Sequence, residues 1–343
     1  MKAQQPFAIY YEQPDWFRPL LAELDRRGIS HVRLDPRAHG YDPSEADSPY
    51  SLVFNRMSPS AYLRGGLQGM FFTLGYLAHL ERQGVPTING LSGFTYEISK
   101  ARQLTLLESL GLRYPLSRVV NHASQVGPAS AGLRFPVVFK ANVGGSGAGI
   151  VRFDKKADLE RAAAENRLDF GVDHTALVQE FIPSRGGSIT RIEVLGGRFL
   201  YAIKIHITGE TFNLCPADIC QRSDGMELTR SACPVDAPKT GLKVEATTPP
   251  PEVIDACERI MRTAGIDVGG IECMVDDRDG KLVYYDVNAL SNFVADGVNV
   301  VGFDPFARLV DFLEAKARKP KSMESKSRVM QAISGMADWD AAI

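Results

Sequence analysis

Residues 139–153, FKANVGGSGAGIVRF, decide how the rest of the chain is interpreted. An apolar run precedes the glycines and the alternating run GIVRF follows them, so a strand is expected on each side. A helix is expected only after the second strand, over DKKADLERAAAEN, with Asp154 as its cap. The glycine-rich loop is therefore predicted to join strand to strand. Its glycines are Gly144, Gly145, Gly147 and Gly149, with Ser146 among them and Lys140 just ahead.

This context excludes the two common phosphate-binding loops. A P-loop joins a strand to a helix and carries its lysine after the glycines, as GxxxxGK[ST]. A Rossmann turn needs GxGxxG opening a helix, whereas the spacing from Gly145 is GxGxG. A lysine ending a buried strand beside such a loop can still neutralise phosphate oxygens held by backbone N–H groups. The stretch predicts a phosphate-binding hairpin of another kind.

The composition limits the classes of partner. The chain has 343 residues, of which 44% are hydrophobic and 23% charged, and its formal net charge is −2. That charge argues against broad adhesion to nucleic acid or anionic membranes. No apolar run approaches the roughly 20 residues needed to span a bilayer, and the first residues contain no signal-peptide core. A globular cytoplasmic protein is expected.

The cysteines agree with that compartment. Their number is odd and no two form a CxxC pair, so reduced thiols are expected rather than a disulfide framework. Two of them, Cys215 and Cys220, could share a metal with His206, but the spacing fits no common zinc pattern. The five are Cys215, Cys220, Cys233, Cys257 and Cys273.

The order of predicted elements divides the chain. In residues 1–90, strands such as FAIYY and SLVFNR alternate with helices, which indicates a small, mostly parallel sheet covered by helices. Residues 91–182 begin with a helix that Ser92 could cap and continue into the glycine hairpin. Residues 183–318 contain strand pairs and one helix, with turns at GG and RDG that indicate antiparallel hairpins. Residues 319–343 form a polar tail.

Acidic and amide side chains near the C-terminus predict a metal site. Asp286 and Asn288 lie two apart on a predicted strand and so project from one face. A hairpin turning at DDRDG would bring Glu272 opposite them. Two carboxylates and an amide oxygen suit Mg²⁺ that also takes phosphate oxygens. The alternative, a solvated strand face, fits poorly with the apolar residues around them.

Taken together, several segments resemble the ATP-grasp superfamily, especially its glutathione-synthetase-like and ribosomal-protein-glutamate-ligase-like members. The match runs in order over residues 90–300. Its pieces are SK before a helix, FPVVFKANVGGSGAGI, LVQEFI, TRIEVLGGRFLYAIKI, FNL and GIEC…YDVN. The resemblance implies an α/β pre-ATP-grasp domain followed by an α+β ATP-grasp fold, with the nucleotide bound between two subdomains.

The resemblance also implies roles for individual residues. Lys100 and Lys140 would bind ATP phosphates beneath a lid formed by residues 144–149. Arg191 and Lys204 would flank the transferring phosphoryl group. Glu272, Asp286 and Asn288 would hold Mg²⁺ or Mn²⁺. The interdomain hinge, whose backbone would pair with adenine, consists of Gln179, Glu180, Phe181 and Ile182.

One position departs from the family pattern. Many relatives carry an acid two residues before the arginine, where this chain has Ile189. Ser188, Glu180 or water would then take over a contact near the ribose. The substrate residues follow less closely from the pattern, and the loop over residues 208–236 is expected to cover the acceptor site. Candidates are Arg56, which could clamp a carboxylate at a strand end or form a surface salt bridge, and Asn213, Arg222, Ser291 and Asn292.

The implied activity is an ATP-dependent carboxylate–amine ligase that works through an acyl phosphate. Small-molecule carboxylate and amine substrates are expected, although a protein acceptor stays open. Two alternatives remain: an ATP-grasp kinase that phosphorylates a hydroxyl, and an ATP-binding protein without turnover. Related ligases are often dimers or tetramers, so a homo-oligomer is implied.

Overall fold

Three β-sheets follow one another along the described part of the chain. The structure is a computed structural model that describes residues 5–144, 149–206, 243–294 and 296–318. The first sheet uses strands between residues 7 and 88, the second between 117 and 180, and the third between 188 and 288. The predicted fold class, an α/β unit followed by α+β units, is confirmed.

The first sheet is parallel, with strand order β2-β1-β3-β4. Residues of β1 alternate between two apolar clusters, so the two helices of this unit cover opposite faces of the sheet, and a ligand crevice is expected at the carboxyl ends of β1 and β3. Arg56 directly follows β3 at this crevice. The elements are β1 (Phe7–Tyr10), α1 (Arg18–Arg26), β2 (His31–Leu34), β3 (Leu52–Asn55), α2 (Leu67–Gln83) and β4 (Thr87–Ile88).

Two short helices, α3 (Leu91–Glu97) and α4 (Lys100–Ser109), replace the single helix that the sequence predicted. Ser99 caps α4, since its Oγ accepts a hydrogen bond from the Arg102 N–H at 3.3 Å. The predicted cap, Ser92, was wrong: its Oγ donates to the Ala264 carbonyl at 2.9 Å. The break makes Lys100 the first residue of a new helix.

The second sheet is antiparallel, with order β5-β8-β6-β7, and is covered by α5 and α6. The pairing of β6 with β7 confirms that the glycine loop joins strand to strand. Helix α6 is preceded by Lys155 as its N-cap, so the prediction that Asp154 caps it was wrong. The elements are β5 (Ser117–Val120), α5 (Val126–Ala129), β6 (Val137–Ala141), β7 (Val151–Phe153), α6 (Lys156–Ala164) and β8 (Ala176–Glu180).

The third sheet is antiparallel, with order β11-β10-β9-β12-β13. The β9–β10 turn uses Gly196 and Gly197, both with positive φ (62° and 76°), as the GG signal predicted. One face packs on α7, and the other joins the first sheet in a common apolar core. The elements are β9 (Ser188–Leu195), β10 (Arg198–His206), β11 (Val244–Thr247), α7 (Pro251–Ala264), β12 (Val268–Val275), β13 (Leu282–Asn288), α8 (Gly297–Val301) and α9 (Pro305–Ala317).

Asn89 connects the first unit to the third sheet. Its buried side chain donates to the carbonyls of Val268 and Ala289, both at 2.7 Å, and accepts from two backbone N–H groups at 2.8 and 3.0 Å. All of its polar capacity is used, so this seam is tightly specified. No helix among the described residues is both long and apolar enough to cross a membrane.

Candidate active site

Two acidic side chains project from neighbouring strands of the third sheet. Glu272 on β12 lies directly opposite Asp286 on β13, which confirms the predicted hairpin register. Asn288 is two residues beyond Asp286 and pairs with Gly270, so it shares their face of the sheet. The two carboxylates and the amide therefore converge on one surface.

Lys100 and Lys140 approach these carboxylates from two other elements. The Nζ of Lys100 lies 3.2 Å from Oδ1 of Asp286. Lys140 is buried on β6 and makes no salt bridge with another described residue, and burial, reinforced by the charge of Lys100, lowers its pKa to about 7. Burial alone would raise the pKa of Asp286, but the two lysines lower it overall. Asp286 balances only part of the positive charge of the two lysines. The remaining charge suits the binding of an anionic phosphate group.

Arg191 lies in the interior of the protein and holds the carboxylates in place. Its guanidinium donates to Glu193 Oε1 and Glu272 Oε1, each at 2.7 Å, and to Ser291 Oγ at 2.9 Å. Tyr285 donates to the other oxygen of Glu272 at 2.7 Å. Burial raises the pKa of Glu272, and Arg191 opposes that rise. Arg191 thus orients Glu272.

The register separates Lys204 from Arg191. Lys204 on β10 pairs with Thr190, and its neighbour Ile203 pairs with Arg191. Successive side chains of a strand point to opposite faces, so the ammonium of Lys204 and the guanidinium of Arg191 lie on opposite sides of the sheet. The prediction that both flank a single phosphoryl group was wrong for this arrangement.

The residues at the predicted metal site fit a divalent cation. The Nδ2 of Asn288 is buried and has no hydrogen-bond partner in the described part of the chain. This NH₂ group is a donor and takes an acceptor such as a carboxylate oxygen of Asp286, which leaves the amide oxygen of Asn288 for a cation. Oxygen donors of these kinds are what Mg²⁺ takes. Histidine, cysteine and carboxylates alone form no cluster of three in the described ranges, so the amide is needed to complete the set.

The glycine hairpin begins beside a residue of the first unit. A side chain added at Gly144 would start 3.3 Å from the hydroxyl of Tyr62. Burial raises the pKa of Tyr62, with Asp169 adding to the rise and Lys100 opposing it. Tyr62 therefore reaches the edge of the phosphate-binding region. Gly149 also lies within the described residues, whereas the predicted loop residues Gly145, Ser146 and Gly147 lie outside them.

Residues 179–182 lead from the second sheet to the third, where the hinge was predicted. The N–H of Glu180 donates to the Leu116 carbonyl at 2.9 Å, and that of Phe181 donates to the Pro136 carbonyl at 3.0 Å. These two donors are occupied, so contact with an adenine edge would need other backbone groups, such as those of Ile182.

The side chains around this hinge are also engaged. Gln179 donates to Ser117 Oγ at 2.7 Å, and Glu180 accepts from the Arg134 N–H at 2.8 Å. Ser188, the first residue of β9, donates its N–H to Ser184 Oγ at 3.1 Å. Ile189 is 1% exposed in the core, so the position where relatives carry an acid is an apolar packing position here.

Arg56 is buried, which excludes the predicted surface salt bridge. Its guanidinium stacks between Phe17 and Phe54, with 5.2 and 5.1 Å to the ring centres. It donates to Asn292 Oδ1 at 3.1 Å and to the Ser291 carbonyl. Three predicted substrate residues thus meet, and their role in substrate binding stays a prediction. Asn213 and Arg222 lie outside the described residues, as do Cys215 and Cys220 of the disfavoured metal site.

Several residues of the site were not predicted from the sequence. Glu193 and Tyr285 hold Arg191 and Glu272, but each was hidden in an apolar strand. Glu97 is fully buried, accepts N–H bonds from Ala289 and Leu290, and has its pKa raised to about 7 by burial. Glu97 shares the buried face of α3 with Gly93 and Phe94, and an acid at that helical spacing was the one available signal.

Three sheets in this order, with two lysines opposite paired carboxylates between the second and third sheets, form the arrangement that solved ATP-grasp ligases also have. No protein-family model matches the chain. Its fold is similar to the ATP-grasp ligase PsnB in complex with a precursor variant, Mg and ADP (20% identity, TM-score 0.63, covering 92% of this chain and 100% of that one). It is also similar to the D-cycloserine synthetase DcsG (16%, TM-score 0.62, 91% and 100%). The chain therefore has the fold of the ATP-grasp ligases.

Curated relatives agree with the fold. A D-alanine–D-alanine ligase from Laribacter hongkongensis is 29% identical over 178 residues, which is 51% of this chain and 54% of that protein. A probable alpha-L-glutamate ligase from Pectobacterium carotovorum is 24% identical over 302 residues, 83% of this chain and 89% of that protein. The chain spans about half the length of several curated relatives it matches, 46–57% of four of them.

Because the pKa of Lys140 is lowered, ATP affinity is predicted to depend on pH. Phosphate favours the ammonium form, so nucleotide binding should take up a proton where free Lys140 is neutral. Between about pH 8 and pH 9, ATP affinity should fall by up to about tenfold per unit. Lys100 and Asp286 stay charged there, and Glu97 is already ionised.

Calorimetry in two buffers of different ionisation enthalpy measures the proton uptake that accompanies ATP binding. Lys140→Arg, charged throughout, should show none; equal proton uptake in both proteins would contradict the assignment.

Proposed function

We propose that the protein is an ATP-dependent carboxylate–amine ligase. The observation that carries the proposal is the meeting of Lys100 and Lys140 with Glu272 and Asp286 where the three sheets join. The cluster combines cationic groups for phosphate with oxygen donors for a divalent cation. It lies between the glycine hairpin of one subdomain and the metal-type strands of the other. The ligase names of the curated relatives support the same class of reaction.

ATP and Mg²⁺ are the proposed cofactors. Lys100 and Lys140 bind phosphate oxygens, and Glu272, Asp286 and Asn288 hold the cation, which supplies charge neutralisation when bound. Arg191 keeps Glu272 oriented, and Tyr285 shares that task. The solved complex of PsnB with Mg and ADP is consistent with this pair of cofactors in a protein of the same fold.

The reaction follows from the charges. An oxygen of the substrate carboxylate attacks the γ-phosphorus of ATP, the β–γ bond breaks and ADP leaves, which produces an acyl phosphate. The amine nitrogen then attacks the acyl carbon, the C–O bond to phosphate breaks, and the amine loses a proton. Both reactants of the first step are anionic, so Lys140 and Lys100 lower the repulsion between them. Tyr62 and Gly144, where the described part of the hairpin ends, lie at the edge of this region, from which water would have to be excluded to protect the intermediate.

The names of the relatives guide the choice of substrate. Both D-alanine ligase and glutamate ligase indicate amino-acid substrates, so we propose an amino acid or a peptide as one partner. The buried contact between Arg56 and Asn292 lies at the crevice of the first sheet, beside the Ser291 turn. A substrate carboxylate there would reach the catalytic cluster. We also propose a cytoplasmic homo-oligomer, which light scattering of the purified protein tests.

The decisive experiment is a screen for ADP release. Purified protein with Mg–ATP is supplied with pairs of amino acids or small acids and amines, and products are identified by mass. A ligase produces ADP and phosphate in equal amounts, with a product of the summed mass less one water. A phosphorylated hydroxyl without free phosphate would indicate a kinase. Tight ATP binding with no turnover across the screen would indicate a binding protein.

A further inference from the structure

The two lysines of the site come from different elements, and their spacing must be set by something other than the chain between them. Lys140 is on strand β6, whereas Lys100 opens helix α4. Phosphate recognition requires both ammonium groups at fixed positions. The contact that joins the start of α4 to the end of β6 therefore controls the site.

That contact is Asn142, which is 5% exposed and follows β6 by one residue. Its Oδ1 accepts from the Ala101 N–H at 2.8 Å and from Ser99 Oγ at 3.2 Å. Its carbonyl accepts from the Lys100 N–H at 3.2 Å. Asn142 thus takes up N–H groups of the first turn of α4 that have no partner within the helix.

A second residue fixes which way the amide of Asn142 points. Its Nδ2 donates to Asp173 Oδ2 at 2.6 Å, and Asp173 Oδ1 accepts from the Thr175 N–H at 3.2 Å. Because Asp173 only accepts, the NH₂ group of Asn142 must face it. The amide oxygen is then left for the helix. Asp173 lies in the loop before β8, so three segments are tied together at this point.

We propose that Asn142 and Asp173 form a positioning pair that sets the distance between Lys100 and Lys140, and thereby the affinity for the triphosphate. Neither residue is among those proposed to bind the nucleotide. The consequence for ATP rests on the proposed function, whereas the consequence for α4 does not. Asparagine and aspartate have nearly the same shape. Exchanging them between positions 142 and 173 therefore keeps the packing and reverses which residue donates the hydrogen bond, which provides a test.

The test uses Asn142→Asp, Asp173→Asn and the double variant. The first places two carboxylates together, and the second leaves one hydrogen-bond donor facing another. The double variant restores every bond: the new amide at 173 donates to the new carboxylate at 142, which still accepts from α4. Each single variant should bind Mg–ATP about tenfold or more weaker, the range seen when a supporting residue is lost. The double variant should return to within about threefold of wild type.

Two measurements distinguish a role in positioning the lysines from a general contribution to the stability of the fold. Equilibrium Mg–ATP affinity is measured by calorimetry at a temperature where unfolding curves show all variants folded. Hydrogen exchange of a peptide spanning residues 99–105 needs no nucleotide, and should be about tenfold faster in each single variant and normal in the double. Single variants with normal exchange would overturn the proposal. Altered exchange with unchanged ATP affinity would overturn its link to the lysines, and a wild type that binds no ATP would overturn the proposed function instead.

Discussion

Asp286→Asn is expected to reduce turnover of the proposed ligase by on the order of a hundredfold or more, and to weaken Mg–ATP binding with it. The carboxylate is the one ion-pair partner of Lys100 among the described residues and also the main negative charge near Lys140. The amide keeps the shape but loses the charge. The ammonium groups of Lys100 and Lys140 then lose the counter-charge they share, and one oxygen donor for the cation is weakened.

The measurement is calorimetry of Mg–ATP binding together with ADP release under saturating substrates. Asp277→Asn is the matched control, because it is the same substitution on the same hairpin. The Asp277 side chain is 61% exposed and pairs with Arg185. It should leave both values near wild type. Normal Mg–ATP binding by Asp286→Asn would show that the paired carboxylates do not hold the metal–nucleotide complex.

The elements that the sequence predicted best are those where spacing alone decides geometry. Asp286 and Asn288 are two apart on a strand, and the RDG turn fixed the register that brings Glu272 opposite. Lys140 was recognisable because a charged side chain at the end of an apolar, buried strand is unfavourable unless it has a binding partner. The strand after the glycines was visible from alternation, and it excluded the competing phosphate loops before any fold was known.

The predictions that were wrong depended on competition between nearby residues or on which face a strand presents. Ser92 and Ser99 both precede helical residues, and only tertiary contacts select Ser99 as the cap. Lys204 was assigned by its place in a motif, but a single-residue step in register puts it on the other face from Arg191. Glu193 and Asn142 act through partners far along the chain, Ser291 and Asp173, and no local pattern indicates such pairs.

Arg191→Met is expected to reduce the free energy of unfolding by about 3–5 kcal/mol, the cost of breaking a buried ion pair from one side. The guanidinium is 4% exposed and donates to two carboxylates that are themselves buried. Its removal leaves Glu193 and Glu272 as uncompensated charges, or forces them to take up protons. The loss should therefore shrink as pH is lowered, since protonated carboxyl groups need no cation.

Urea unfolding at two pH values measures the effect. Arg198→Met is the matched control, because Arg198 is on the adjacent strand with its side chain 81% exposed and one surface contact to Glu258. It should cost under about 1 kcal/mol. Adding Glu193→Gln to Arg191→Met should recover part of the loss, since an amide carries no charge to compensate. If Arg191→Met were no more destabilising than Arg198→Met, the buried network would not be what holds Glu272 in position, and its orientation would have to come from Tyr285 alone.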